Sequence, residues 1–96
     1  MTAFVIATVK IKDPDKFAEY GQKAAPTLEP YGGRVLNHGT LNQALAGGAA
    51  HDIGALISFP DQKSLTDWYA SPAYQAVIPL RDEAADFTVI SYDALS

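Results

Sequence analysis

The chain has 96 residues, no cysteine and a formal net charge of −4. This length supports one domain, residues 1–96, and no second. The missing thiols exclude disulfides, iron–sulfur clusters, thiolate zinc sites and cysteine nucleophiles. With only two arginines, Arg34 and Arg81, the chain lacks the basic surface that nucleic acid requires. No apolar run approaches the ~18–20 residues of a membrane span. Met1-Thr2-Ala3-Phe4 lacks the basic and apolar regions of a signal peptide. The expected location is therefore the cytoplasm.

Residues 3–11 are rich in β-branched side chains and predict a strand that is apolar on both faces. Asp13-Pro14 then starts a helix, with Asp13 as N-cap and Pro14 in the first position. Phe17, Tyr20, Gly21, Ala24 and Leu28 follow helical spacing and should face the sheet. Pro26 should kink or break the helix, and Tyr31-Gly32-Gly33 turns into a second strand at 34–38. Residues 41–46 are expected to continue as a strand or hairpin arm. A glycine-rich loop, 47–52, leads into a third strand at 53–59. Pro60-Asp61 opens another helical region with Leu65, Trp68 and Tyr69 inward, and Ser71-Pro72 restarts it. A bend is expected at Pro79, and residues 86–92 form the last strand.

The order strand, helix, strand, strand, helix, strand predicts an α+β ferredoxin-like (βαββαβ) fold, with an antiparallel sheet and both helices on one face. A shift of 48 residues places Asp13 on Asp61, Phe17 on Leu65 and Tyr20 on Trp68, a faint internal repeat. The sheet face away from the helices is apolar too, as in Phe4 and Ile6. Soluble monomers rarely expose such a face, and a second copy is the simplest cover, so a homodimer is expected.

Several segments together resemble a known family. They are Asp13-Pro14 with Phe17 and Tyr20, Tyr31-Gly32-Gly33-Arg34, Phe59-Pro60, and Trp68-Tyr69-x-Ser71-Pro72-x-Tyr74-Gln75 with Arg81. The pattern looks like domain-of-unknown-function family 1330, of the dimeric α+β barrel superfamily, from Val5 to about Tyr92. The resemblance implies the fold and the dimeric α+β barrel but no activity. Sister families include cofactor-independent monooxygenases, muconolactone isomerase-like proteins and haem-binding enzymes, an analogy of fold alone. The chain departs from the pattern at His38, where many relatives carry arginine. It departs again at Leu41-Asn42-Gln43-Ala44-Leu45, where they carry acidic residues.

The two histidines, His38 and His51, have no second ligand at helical spacing, so no metal site is expected. A lone histidine leaves haem open as an axial ligand, yet nothing else supports it, and no cofactor is expected. Serine-triad and phosphate-loop motifs are absent. His38 is the candidate catalytic acid/base, because histidine titrates near neutral pH. Arg34 lies an even number of residues away, which predicts the same strand face. Arg34 and Arg81 could pair with a carboxylate, while Tyr69 and Tyr74 could wall a small-molecule pocket. Each has a structural alternative: an edge histidine, a docking salt bridge for Arg81, and ordinary packing for the aromatics. For Trp68 and Tyr20, packing is the preferred reading. The expected function is a small-molecule-binding dimer acting on an anionic or aromatic metabolite, as a cofactor-independent enzyme or as a non-catalytic binding or structural domain.

Overall fold

A computed structural model describes residues 2–95. Met1 and Ser96, the two ends of the expected 1–96 domain, lie outside the described residues. The elements are β1 (Ala3–Ile11), α1 (Pro14–Ala24), 3-10 turns at Ala25–Thr27 and Glu29–Tyr31, β2 (Arg34–Thr40), β3 (Ile53–Phe59), α2 (Gln62–Ala70), α3 (Pro72–Gln75), α4 (Ile78–Ala84) and β4 (Ala85–Asp93). The strands lie in the order β2-β3-β1-β4 and all pairs are antiparallel. This is the ferredoxin-like arrangement, with β1 and β3 central.

Local chemistry sets the element boundaries. The Asp13 carboxylate accepts from the backbone N–H of Asp15 and Lys16 at 3.1 and 3.2 Å. At the matching place in the second half, Asp61 accepts from Ser64 N–H at 2.7 Å. Hydrogen bonding with Ser64 holds the Asp61 carboxyl below its ordinary range. Helix α1 ends at Ala24 and tightens into a 3-10 turn containing Pro26, because proline has no N–H for the α-helical ladder. The bend expected at Pro79 is a full break: the helical piece that starts at Pro72 is interrupted at residues 76–77. Pro79 sits in the first turn of α4, where a missing N–H costs nothing. The expected strand at 41–46 is also not formed, and residues 41–52 carry no regular structure. Asn42, Gln43 and Gly47-Gly48 offer little β-propensity and no apolar alternation to hold a register.

The alternate residues Ala3, Val5, Ala7 and Val9 of β1 are buried beneath the helices. Leu65, Trp68, Tyr74 and Val77 pack down on them, with Phe59 of β3 among the most deeply buried side chains. At the end of the second 3-10 turn, Gly32 has φ +71°, a left-handed conformation that glycine adopts without strain. Next to it the backbone of Gly33 lies against Phe59 and Leu28. A Cβ there would meet Phe59 Cε2 at 2.7 Å and Leu28 Cδ2 at 2.9 Å.

The opposite sheet face carries the other set of alternate residues. Ile6 faces Leu56 on one side and Ile90 on the other, and Phe4 pairs with Tyr92. The Phe4 and Tyr92 rings stack with centroids 5.2 Å apart. Ile6, Ile90 and Tyr92 are 39, 46 and 42% exposed, so this chain leaves a contiguous apolar face uncovered. Among the described residues, no helix is long and apolar enough to cross a membrane.

Candidate functional site

A cavity of about 400 Å³ lies between α1 and the sheet. It arises from small side chains. Gly21 and Ala24 of α1 face Ala7 of β1 and Ala55 of β3 across it, and helix-to-sheet spacing is too wide for alanine and glycine to fill. A Cβ added at Gly21 would meet nothing within 4 Å. A sealed and empty void of this volume would cost roughly 10 kcal/mol at ~24 cal/mol per Å³. That is comparable to the whole stability of a small domain. Here the cavity reaches the edge strand β2, whose residues are all exposed, and so forms an open slot.

The slot is apolar apart from a few groups. Near β2 it is lined by His38 and Thr40, and beneath α1 by Tyr20 and Tyr74. The indole N–H of Trp68, also in the wall, is already committed to Thr27 Oγ1 at 3.0 Å. The Tyr20 and Tyr74 hydroxyls lie 2.9 Å apart. Behind them, Arg81 Nη1 donates to Tyr69 Oη at 3.0 Å and to Tyr74 Oη at 3.4 Å. Arg81 Nε donates to Asp82 Oδ1 at 3.1 Å, and the guanidinium stands 5.9 Å from the centroid of the Phe87 ring. Burial works against the charge on Arg81, but the hydrogen bonds to Tyr69 and Tyr74 outweigh it and raise its pKa. The guanidinium is therefore cationic. Burial, reinforced by the Tyr74 hydroxyl, pushes the Tyr20 phenol well above its ordinary range.

The predicted site residues separate into three positions. His38 and Tyr74 line the slot. Tyr69 and Arg81 do not line it but are tied to Tyr74 from behind. Arg34 is on the other sheet face, contrary to the expectation from even spacing. Its register partner is Ser58, which pairs with Phe4 on the bare face, whereas His38 pairs with Ala55, opposite buried Ala7. The reason is a bulge between Val35 and Asn37, where Leu36 adds one residue and reverses the alternation. Tyr20, read from sequence as packing, does pack against the core and the Phe17 and Phe87 rings, and it also lines the slot. The sequence does contain a signal for it: the adjacent Gly21 sits in mid-helix, where glycine is unfavourable unless space is needed.

His51 lies on the other face, its Nδ1 3.0 Å from Thr8 Oγ1. Among the described residues no group of three or more His, Asp or Glu side chains is placed to hold a metal ion.

The topology and the helix-covered slot define a ferredoxin-like α+β protein. The chain belongs to the family described as Domain of unknown function (DUF1330), whose model matches residues 2–94. Among curated proteins, none matches the chain with significance. Among solved structures it is similar to a protein of unknown function from Rhodopseudomonas palustris, with 20% identity, a TM-score of 0.79, and coverage of 99% of this chain and 83% of that one. It is also similar to SnoaB, a cofactor-independent oxygenase from Streptomyces nogalater, with 11% identity, a TM-score of 0.69, and coverage of 99% and 94%. A dimeric ferredoxin-like protein of unknown function from Thermobifida fusca matches with 14% identity, a TM-score of 0.60, and coverage of 98% and 92%.

Proposed function

We propose that the protein is a cytoplasmic homodimer that binds a small, largely apolar organic molecule in the slot between α1 and the sheet. The observation that carries this reading is the slot itself. Its walls are small apolar residues, and the few polar groups are grouped at Tyr20–Tyr74 and at His38–Thr40. Water gains little in such a space, and an apolar ligand that displaces it gains burial worth roughly 25 cal/mol per Å². The dimer is supported by the uncovered face around Ile6, Ile90 and Tyr92, and by the dimeric state of the Thermobifida fusca relative in fold.

Catalysis without a cofactor is the second reading, favoured by His38 in the slot lining. An imidazole there can take or return a proton on a ligand whose apolar body lies in the slot. A relative in fold, SnoaB, is a cofactor-independent oxygenase, which supports the possibility for the fold and names no substrate for this chain. Arg34, on the bare sheet face, lies outside this slot, and Arg81 with Tyr69 holds Tyr74 from behind.

Native mass spectrometry of the purified protein tests the binding reading. The expected result is a dimer that retains an apolar compound from a metabolite extract, and that loses it when Gly21→Leu fills the slot. Retention unchanged in Gly21→Leu places binding elsewhere. For the catalytic reading, His38→Ala should abolish turnover of a retained compound while leaving its binding within a few fold. Equal turnover in both proteins removes His38 from the chemistry.

A further inference from the structure

The hydroxyls of Tyr20 and Tyr74 together hold two protons and share one hydrogen bond. A phenol hydroxyl donates one proton and accepts through oxygen, whereas a guanidinium only donates. Arg81 therefore occupies acceptor capacity on Tyr74 and cannot receive a proton from it. Among the described residues no other group within hydrogen-bond distance accepts from either tyrosine. Whichever way the shared bond points, one hydroxyl proton is left over. With Arg81 donating to Tyr74, the favoured order runs from Arg81 to Tyr74 to Tyr20. The Tyr20 O–H is then the free donor, and Tyr20 lines the slot.

From this count we infer that the tyrosine pair recognises an oxygen acceptor, a carbonyl or an oxyanion, on an otherwise apolar ligand, with Tyr20 as the donor and Arg81 as the positioning residue behind Tyr74. The inference rests on the slot being the ligand site. It names what the slot selects. A ligand oxygen there accepts the unclaimed proton, and the cation behind the pair favours negative charge building on that oxygen. A ligand presenting only an N–H donor leaves that proton unsatisfied and faces the positive end of the relay, a mismatch that costs more than a missing contact. Gly21, one residue from Tyr20, keeps the approach open. Selection is thus by polarity at Tyr20–Tyr74 and by girth at Gly21.

The test uses the full chain and three probes of similar shape: 2-ethylnaphthalene, 2-acetonaphthone and 2-naphthoate. Binding is read by quenching of Trp68, the single tryptophan, which lines the slot. The ketone or the carboxylate should bind about 2- to 10-fold more tightly than the hydrocarbon, the net worth of one hydrogen bond. In the double variant Tyr20→Phe/Tyr74→Phe this preference should fall to about 1. Either single variant should keep part of it, because each leaves one hydroxyl proton free. Arg81→Gln should shrink the preference for the carboxylate more than that for the ketone. A preference that survives the double variant, or one absent from the native protein while the hydrocarbon still binds and is lost in Gly21→Leu, overturns the inference and leaves the slot reading intact. If no probe quenches Trp68, the slot reading falls and the inference with it.

Discussion

Trp68 joins three parts of the chain through one side chain. Its ring packs on Phe59 and Tyr74 with centroids 5.3 and 4.4 Å away, and its N–H reaches Thr27, whose own hydroxyl donates to Ala24 O at 2.6 Å. Trp68→Ala should therefore destabilise the fold by ~3–5 kcal/mol in chemical denaturation. Thr27→Val should cost ~1–3 kcal/mol, because it strands a buried indole donor. A smaller loss in Thr27→Val would mean that the indole finds water. Tyr20 gives a pH signature. Its folded pKa is raised, so below the ordinary phenol value of about 10 the group is protonated in both states and its stabilising effect is complete. Above that, the unfolded chain releases a proton that the native chain keeps, and stability falls as pH rises. Denaturation midpoints measured from pH 9 to 11.5 should decline less steeply for Tyr20→Phe than for the native protein. Parallel slopes would show that Tyr20 titrates like an exposed phenol.

At the scale of elements, α1 trades helix stability for space. Gly21 has open space where its Cβ would be, so Gly21→Ala should raise stability by ~0.5–1 kcal/mol with little loss of slot volume. A destabilised alanine variant would show that the open space is closed in solution. Gly33 behaves oppositely. A methyl group there collides with the Phe59 ring and Leu28, and Gly33→Ala should cost ~1–3 kcal/mol by overpacking. The contrast is not visible in composition, because it depends on neighbours that only the folded chain supplies. The bulge in β2 has the larger functional consequence, because one extra residue at Leu36 sends His38 to the helix side and Arg34 away from it. A strand with alternating apolar and polar residues would reveal such a shift. Arg34-Val35-Leu36-Asn37-His38 does show two adjacent apolar residues at the break, but an edge strand exposed on both sides gives no burial pattern to interpret them.

For the whole molecule, the uncovered face is the dominant feature. Phe4, Ile6, Leu56, Ile90 and Tyr92 lie on the three strands β3, β1 and β4, joined by direct register pairs. Pairing this face with its copy would remove the exposed patch and add burial that a 96-residue chain cannot supply alone. Light scattering at low micromolar concentration should give twice the 10.3 kDa chain mass. Ile90→Asp, which puts a charge in mid-face without touching the helix side, should give a folded species of half that mass. A soluble native monomer would end the dimer argument.

The alternation of apolar residues, the Asp13-Pro14 and Asp61 caps and the turn at Gly32-Gly33 determined from sequence alone the element order, the ferredoxin-like fold and the burial of Trp68. These are local signals, each confined to a few residues whose backbone preference does not depend on distant neighbours. The sequence also carried the residues Tyr74 and His38 as candidates, through their chemistry. Only the tertiary structure decided which of them meet. It set Arg34 and His38 on opposite faces through a single inserted residue, and it gave the packing residue Tyr20 a second place in the wall of the slot. It also brought Arg81 to Tyr69 and Tyr74 at 3.0 and 3.4 Å. Such pairings, like Tyr20 with Tyr74 across 54 positions of chain, are products of strand register and helix docking. They arise from the sum of many weak packing contacts, so no short stretch of sequence contains them.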